Sequence, residues 1–220
     1  MNQDSEWFTD IASSVMCGKF KITGGNGAAL GDDANVAVCN LVAGSLWSHI
    51  DLYINDDKVS VNTSSMLHIK TQIEHLLSYG SDAVKTHLTT SLFHLDTPGQ
   101  FESVLAPNLG RTARKAWTAE SAIVEFETPF SVDCMNLSKY LPPHCKIMLK
   151  MYRTADNIIL HSAAATDTYR LEITEIYWKV RKVYVAPTIK NDIVSKIRSG
   201  KPGIYPYVRT ELKYVTVPRV

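Results

Sequence analysis

Leu46–Asp96 (LWSHIDLYINDDKVSVNTSSMLHIKTQIEHLLSYGSDAVKTHLTTSLFHLD) leaves its chain few conformations to choose from. From Leu46 to Asn55 every second residue is apolar or small: Leu46, Ser48, Ile50, Leu52 and Ile54. Trp47, His49, Asp51, Tyr53 and Asn55 occupy the other face, which is the period-2 signature of a half-buried strand. Asn55-Asp56-Asp57 tolerates positive φ, so Lys58–Val61 is expected to return as the second arm of a hairpin. Ser64 or Ser65 can then cap a helix whose apolar stripe is Met66, Ile69, Ile73, Leu76 and Leu77. Gly80 stands where a left-handed residue would close it.

Similar reasoning carries along the chain. Residues 1–14 lack pattern and are expected to form an N-terminal arm or a short helix, with one domain spanning 15–220. Val15–Ile22 is a weakly alternating strand running into the glycine-rich loop Gly24–Asp33, and Val36–Val42 is apolar. Val84–Phe93 alternates loosely until Thr97-Pro98-Gly99. Ala122, Val124 and Phe126 alternate with Glu125 and Glu127 in a strand ending at Thr128-Pro129. Leu141-Pro142-Pro143 turns a corner into another strand over Lys146–Tyr152. Leu171–Val185 is the longest strand candidate; its apolar phase slips between Ile173 and Ile176 and between Val180 and Val183, as at β-bulges. Pro187–Arg198 reads as a helix stopped by Gly200, and Val208, Leu212 and Tyr214 alternate with Arg209, Glu211 and Lys213 in a last strand. The sum is an all-β fold, an antiparallel β-sandwich with one or two short helical insertions at about 66–79 and 187–198.

Composition narrows the function. A chain of 220 residues buries roughly 70% of its unfolded surface and needs no metal or disulfide to hold a core. With 23 Lys+Arg against 22 Asp+Glu, nothing in the net charge draws it to nucleic acid, and no specific nucleic-acid binding is expected. The four cysteines, Cys17, Cys39, Cys134 and Cys145, have no C-x-x-C spacing and are expected as reduced thiols, with a Cys134–Cys145 meeting left open. No secretion signal and no apolar run of membrane-spanning length occurs, so a soluble, cytosolically made protein is expected.

The search for chemistry returns little. Gly24–Gly31 lacks the G-x-G-x-x-G spacing and a following helix. His49, Asp51 and His75 can be imagined as ligands, but no metal-binding spacing accompanies them and no acid is placed to orient an imidazole. Glu125 and Glu127 fit a solvated strand face better than a general acid and base. No nucleophile elbow is present, so no catalytic, metal or cofactor site is expected and the chain is read as a non-enzyme. Leu109–Trp117, with Arg111, Arg114, Lys115 and Trp117, is the one basic cluster beside an aromatic; a solvated loop is the plainer reading and a partner-contact surface the sharper one. Trp47 and Tyr53 join these four as candidate subunit contacts, core packing being the default for strand aromatics.

Leu46, Trp47, Ser48, Leu52, Asn55, Glu74, Leu76, Leu77, Ser78, Tyr79, Gly80, Leu88, Thr89, Asp96, Thr97 and Gly99 together resemble the first jelly roll of Polinton/Maverick (adintovirus-like) double jelly-roll major capsid proteins. Val180–Val183 through Pro187, then Lys201-Pro202 and Tyr205-Pro206, resemble the later part of that domain. Ser162–Thr168 and Arg111–Trp117 depart from the pattern, and the chain stops where the family would begin its second jelly roll. The resemblance implies a jelly-roll capsid protein that assembles with copies of itself or related subunits into trimeric capsomers. It implies a virion location, with assembly in the host nucleus as one option. A fragment, one piece of a split gene and an endogenous viral copy are all compatible with the single jelly roll. A vertex or minor capsid protein, and a non-viral jelly-roll module binding glycan or peptide, are the alternatives; a metal-dependent cupin-like enzyme ranks last.

Overall fold

The computed structural model describes residues 6–60, 66–104, 108–164, 168–213 and 215–217. Its strands are β1 (Trp7–Gly24), β2 (Val36–Val38), β3 (Trp47–Ile54), β4 (Asp57–Lys58), β5 (Val124–Pro129), β6 (Ile147–Arg153), β7 (Leu160–Ser162) and β8 (Tyr169–Tyr184). Its α-helical segments are α1 (Val42–Ser45), α2 (Leu67–Ser78), α3 (Ser81–Lys85), α4 (Leu109–Trp117), α5 (Asp156–Ile159) and α6 (Pro187–Arg198). The strands form antiparallel sheets in the orders β5-β1-β8, β4-β3-β6 and β2-β7.

β1 is the spine. It begins at Trp7, so residues 7–14, expected in an arm, are strand residues paired with β8 from Trp7↔Tyr184 to Asp10↔Arg181. Between Asp10 and Val15 the ladder breaks, and Ser13 N–H and Ser14 Oγ bond locally to Asp10 Oδ1 and Ile11 O. On β8 the unpaired residues are Val180 and Thr174, which fall within the two intervals where the apolar phase slips. Gly18 sits where β5 and β8 close on β1: a Cβ there would lie 2.7 Å from Glu175 O and 2.8 Å from the Phe126 ring.

The core lies between the β1 sheet and the β3 sheet. Phe20, Ile22, Leu52, Leu46 and Ile159 are all fully buried in it, with Phe126 6.1 Å from Phe20. Trp47 Nε1 reaches Met16 Sδ at 3.0 Å and joins the two sheets directly. β5 alternates as expected. Val124, Phe126 and Thr128 point inward, while Glu125 pairs with Lys19 at 3.0 Å and Glu127 with Lys179 at 2.6 Å on the solvated face. The β3–β4 hairpin also turns as expected, with Asn55 at φ 53° and Asp56 at φ 71°.

Several expectations fail. No strand forms in 208–213 or 215–217, and Tyr214 lies outside the described residues. The proposed caps Ser64 and Ser65 and the strand end Val61 also lie outside them. Gly80 is extended at φ −89°, because α3 starts at the next residue and no left-handed closure is needed. Val84–Phe93 is mostly α3 and a 3-10 turn over His87–Ser91 instead of a strand. Leu109–Trp117 is helix α4, capped by Asn108, whose Oδ1 accepts from Arg111 N at 3.3 Å.

Candidate functional site

Helix α2 is mounted with its apolar stripe outward. Ile69, Ile73, Leu76 and Leu77 are 41%, 40%, 58% and 82% exposed, and Tyr79 just beyond is exposed too. The face turned inward is Leu67, Lys70, Thr71 and His75. The stripe read from the sequence is therefore real, but it does not face this chain's core.

Polar contacts hold the inward face. Lys70 Nζ, nearly inaccessible, meets Glu74 at 2.7 Å, Asp133 at 2.8 Å and Ser131 O at 3.2 Å, which uses all three of its donors. Gln72 Nε2 donates to Asn40 O and to Ser45 Oγ. His75 Nδ1 lies 2.8 Å from Thr71 O; a carbonyl only accepts, so Nδ1 carries the proton. Nε2 of His75, Oγ1 of Thr71 and Nδ1 of His68 are buried without partners. Burial holds the His75 and His68 imidazoles below the usual histidine range, His75 against an opposing pull from its bond to Thr71.

A second polar centre surrounds Asp51, which is buried at the hairpin. One oxygen, Oδ1, meets His49 Nε2 at 2.6 Å, Lys58 Nζ at 2.7 Å and Ser60 Oγ at 3.2 Å, and Ser60 Oγ accepts from Leu52 N. Burial pushes the carboxyl up, but the Lys58 and His49 donors outweigh it and the net shift is downward. An acid does orient an imidazole here, contrary to expectation. Its donors come from the two hairpin arms and from Ser60, two residues past the second, so the centre pins the hairpin. His75 belongs to α2 and has no bond to this centre, so the imagined ligands are not brought together. Among the described residues no group of three or more His, Cys, Asp or Glu is placed to hold a metal ion. All four thiols are free, and burial pushes Cys39 and Cys134 up to about 12.

The six candidate contact residues do not form a surface. Trp47 is buried because the register shift between Trp47 and His49 inserts Ser48 as an extra residue. That turns the indole to the same side as Ile50 and Leu52. Arg111 and Arg114 are 5% and 1% exposed, so neither can meet a partner. Arg114 donates to Val38 O (2.9 Å), His94 O (2.6 Å) and Asp96 (2.7 Å). Arg111 reaches Asn35 Oδ1 (2.9 Å) and His161 O (3.1 Å). These two bolt α4 to the β2-β7 sheet, and burial lowers the Arg111 pKa first of all. Lys115, Trp117 and Tyr53 are half-buried; Trp117 packs on His94 at 4.7 Å and Tyr53 lies under Lys150 Nζ at 4.7 Å.

The surface that sequence reasoning missed is α2 itself. Its signal was present in the stripe, but a stripe does not say whether it faces the core or a partner. No protein-family model, no curated protein and no solved structure matches the chain.

Proposed function

We propose that the protein is a structural subunit of a virus-type shell, a jelly-roll capsid protein that assembles with copies of itself. The observation that carries this reading is the outward apolar face of α2. A helix held by buried polar contacts while four large aliphatics face water is arranged for burial against something else. Burying a Leu side chain that is mostly exposed gains about 1.5–3 kcal/mol, so Leu76 and Leu77 alone can supply the centre of a contact. The antiparallel β architecture and the sequence resemblance support the same reading. So does the use of the polar clusters around Asp51, Lys70 and Arg114 for holding elements together.

Light scattering on the purified chain tests it. The wild type is expected to give an oligomer, and Leu77→Lys with Ile73→Lys a folded species of lower mass. A wild type that stays monomeric at high concentration overturns the reading. A groove of about 690 Å³ between α6 and the 138–142 and 201–205 segments, with Tyr140 and Tyr205 at its wall, favours the second reading, a monomeric binding module.

A further inference from the structure

Helix α6 has no buried residue, although Ile189, Ile193 and Ile197 recur along it at i, i+4 and i+8 as a core-facing stripe would. The stripe lines the groove of about 690 Å³, whose opposite wall carries Tyr140 and Pro142. That wall is fixed to β1 by the Thr9–Leu141 pair, with both backbone bonds at 2.9 Å. The 201–205 segment is fixed to the same wall: Lys139 Nζ donates to Ile204 O at 2.9 Å and Tyr205 Oη to Tyr140 O at 3.2 Å. Lys201 N donates to Lys196 O at 3.1 Å and ties the segment to α6. Inside this anchored frame Ile189, Ile197 and Ile204 remain 47–69% exposed.

Charge is spread unevenly along the groove. Phe8 pairs with Val183, two residues before Val185, so Phe8, Val185 and Ile189 mark one end, and that end is hydrocarbon. Ile197 lies just over two turns further along α6, about 12 Å away. Three lysines gather at this second end: Lys196 adjoins Ile197, Lys201 follows the helix, and Lys139 is bonded to Ile204 O. Among the described residues no Asp or Glu lines the groove. Lys196 is paired with Asp192 at 2.6 Å, but Lys139 gives its ammonium to a neutral carbonyl. No carboxylate of the described residues lies within ion-pair reach of Lys139 or Lys201.

We infer that the groove binds a free long-chain fatty acid, its alkyl tail along the isoleucine stripe and its carboxylate at the lysine end. The charge pattern selects this occupant: an apolar trough with uncompensated cations at one end is complementary to a single chain with an anionic head. A glycan would press its hydroxyls against isoleucine without partners, and a peptide would do the same with its N–H and C=O groups. Burial of the tail supplies the affinity, and the few polar groups at the end set its direction. The inference names the ligand of the groove behind the binding-module reading. It uses no residue of α2, so it stands or falls separately from self-assembly.

Isothermal titration calorimetry of the full chain with dodecanoate, below its micellar concentration, tests it. Dodecyltrimethylammonium, the same tail on a cation, is the comparison probe. Dodecanoate is expected to saturate a single site, and the cation to bind about tenfold more weakly or not at all. Lys139→Gln with Lys201→Gln should weaken dodecanoate about fivefold while melting like the wild type, because both side chains are exposed. Ile193→Glu sets a carboxylate in the path of the tail and should abolish binding. Arg198→Gln removes an exposed charge from α6 outside the groove lining and should bind as the wild type does. Dodecanoate that fails to saturate, equal affinity for the two head groups, or indifference to both Ile193→Glu and the lysine pair overturns the inference. Assembly without dodecanoate binding overturns it and leaves the shell reading standing; saturable binding by a chain that stays monomeric supports it while the shell reading fails.

Discussion

At the scale of single residues, charges placed where a reader of sequence expects solvent turn out to be fasteners. Arg114 is the clearest case: one guanidinium satisfies two carbonyls from separate segments and the Asp96 carboxylate, with 1% of the residue exposed. Arg114→Ala is therefore expected to cost about 3–5 kcal/mol, because it strands Asp96 and two carbonyls in a dry site. Chemical denaturation checks this, and a loss below 1 kcal/mol would mean the clamp is not made. Arg114→Lys should recover little, since one ammonium cannot span the three acceptors in their fixed fork. Trp47 teaches a related lesson. The alternation read for β3 holds from His49 onward, and the single bulged residue Ser48 before it reverses which face the indole joins.

At the scale of elements, α2 shows the limit of periodicity. Ile69, Ile73, Leu76 and Leu77 recur at helical spacing and the helix forms, from Leu67 to Ser78. Which way it rolls is decided by Asp133, Ser131, Asn40 and Ser45, distant in sequence, which offer Lys70 and Gln72 their partners. Single Leu77→Lys or Ile73→Lys changes should shift stability by no more than about 0.5 kcal/mol, as for other exposed sites, while weakening association. Lys70→Met is expected to do the reverse, destabilising the monomer because Asp133 loses its ammonium partner. Thermal melting paired with light scattering separates the two effects. β5, β6, β8 and α6 were legible because their partners lie on flat, half-exposed surfaces where alternation or a proline start suffices. α4 was not, because its basic residues look solvated until β2 and β7 are placed beneath them.

At the scale of the whole molecule, buried imidazoles couple stability to pH. Burial depresses the His68, His75, His94 and His161 imidazoles below the ordinary histidine value of about 6.5, so the unfolded chain takes up protons first as pH falls. Stability is then full above about pH 6.5 and is lost as pH falls through the folded values of these groups. Asp51, depressed from 3.8, adds its own loss only in more acid solution. Melting temperature is expected to drop between pH 7 and pH 5, and His75→Gln to shallow that drop; a flat profile would contradict the burial of these rings.

What the residues determined alone is the local vocabulary: the Asn55-Asp56 turn, the alternation of β5 and β6, the bulged length of β8 and the helicity of α2 and α6. These depend on backbone sterics and nearest-neighbour burial, which act over a few positions and so leave periodic traces. Tertiary structure decided the assignments of side: α2's stripe outward, Arg111 and Arg114 inward and Trp47 into the core, and it left 208–213 without strand structure. Each depends on a partner group far along the chain. A periodic pattern records that a face exists, and only the placement of that distant partner sets which face is covered.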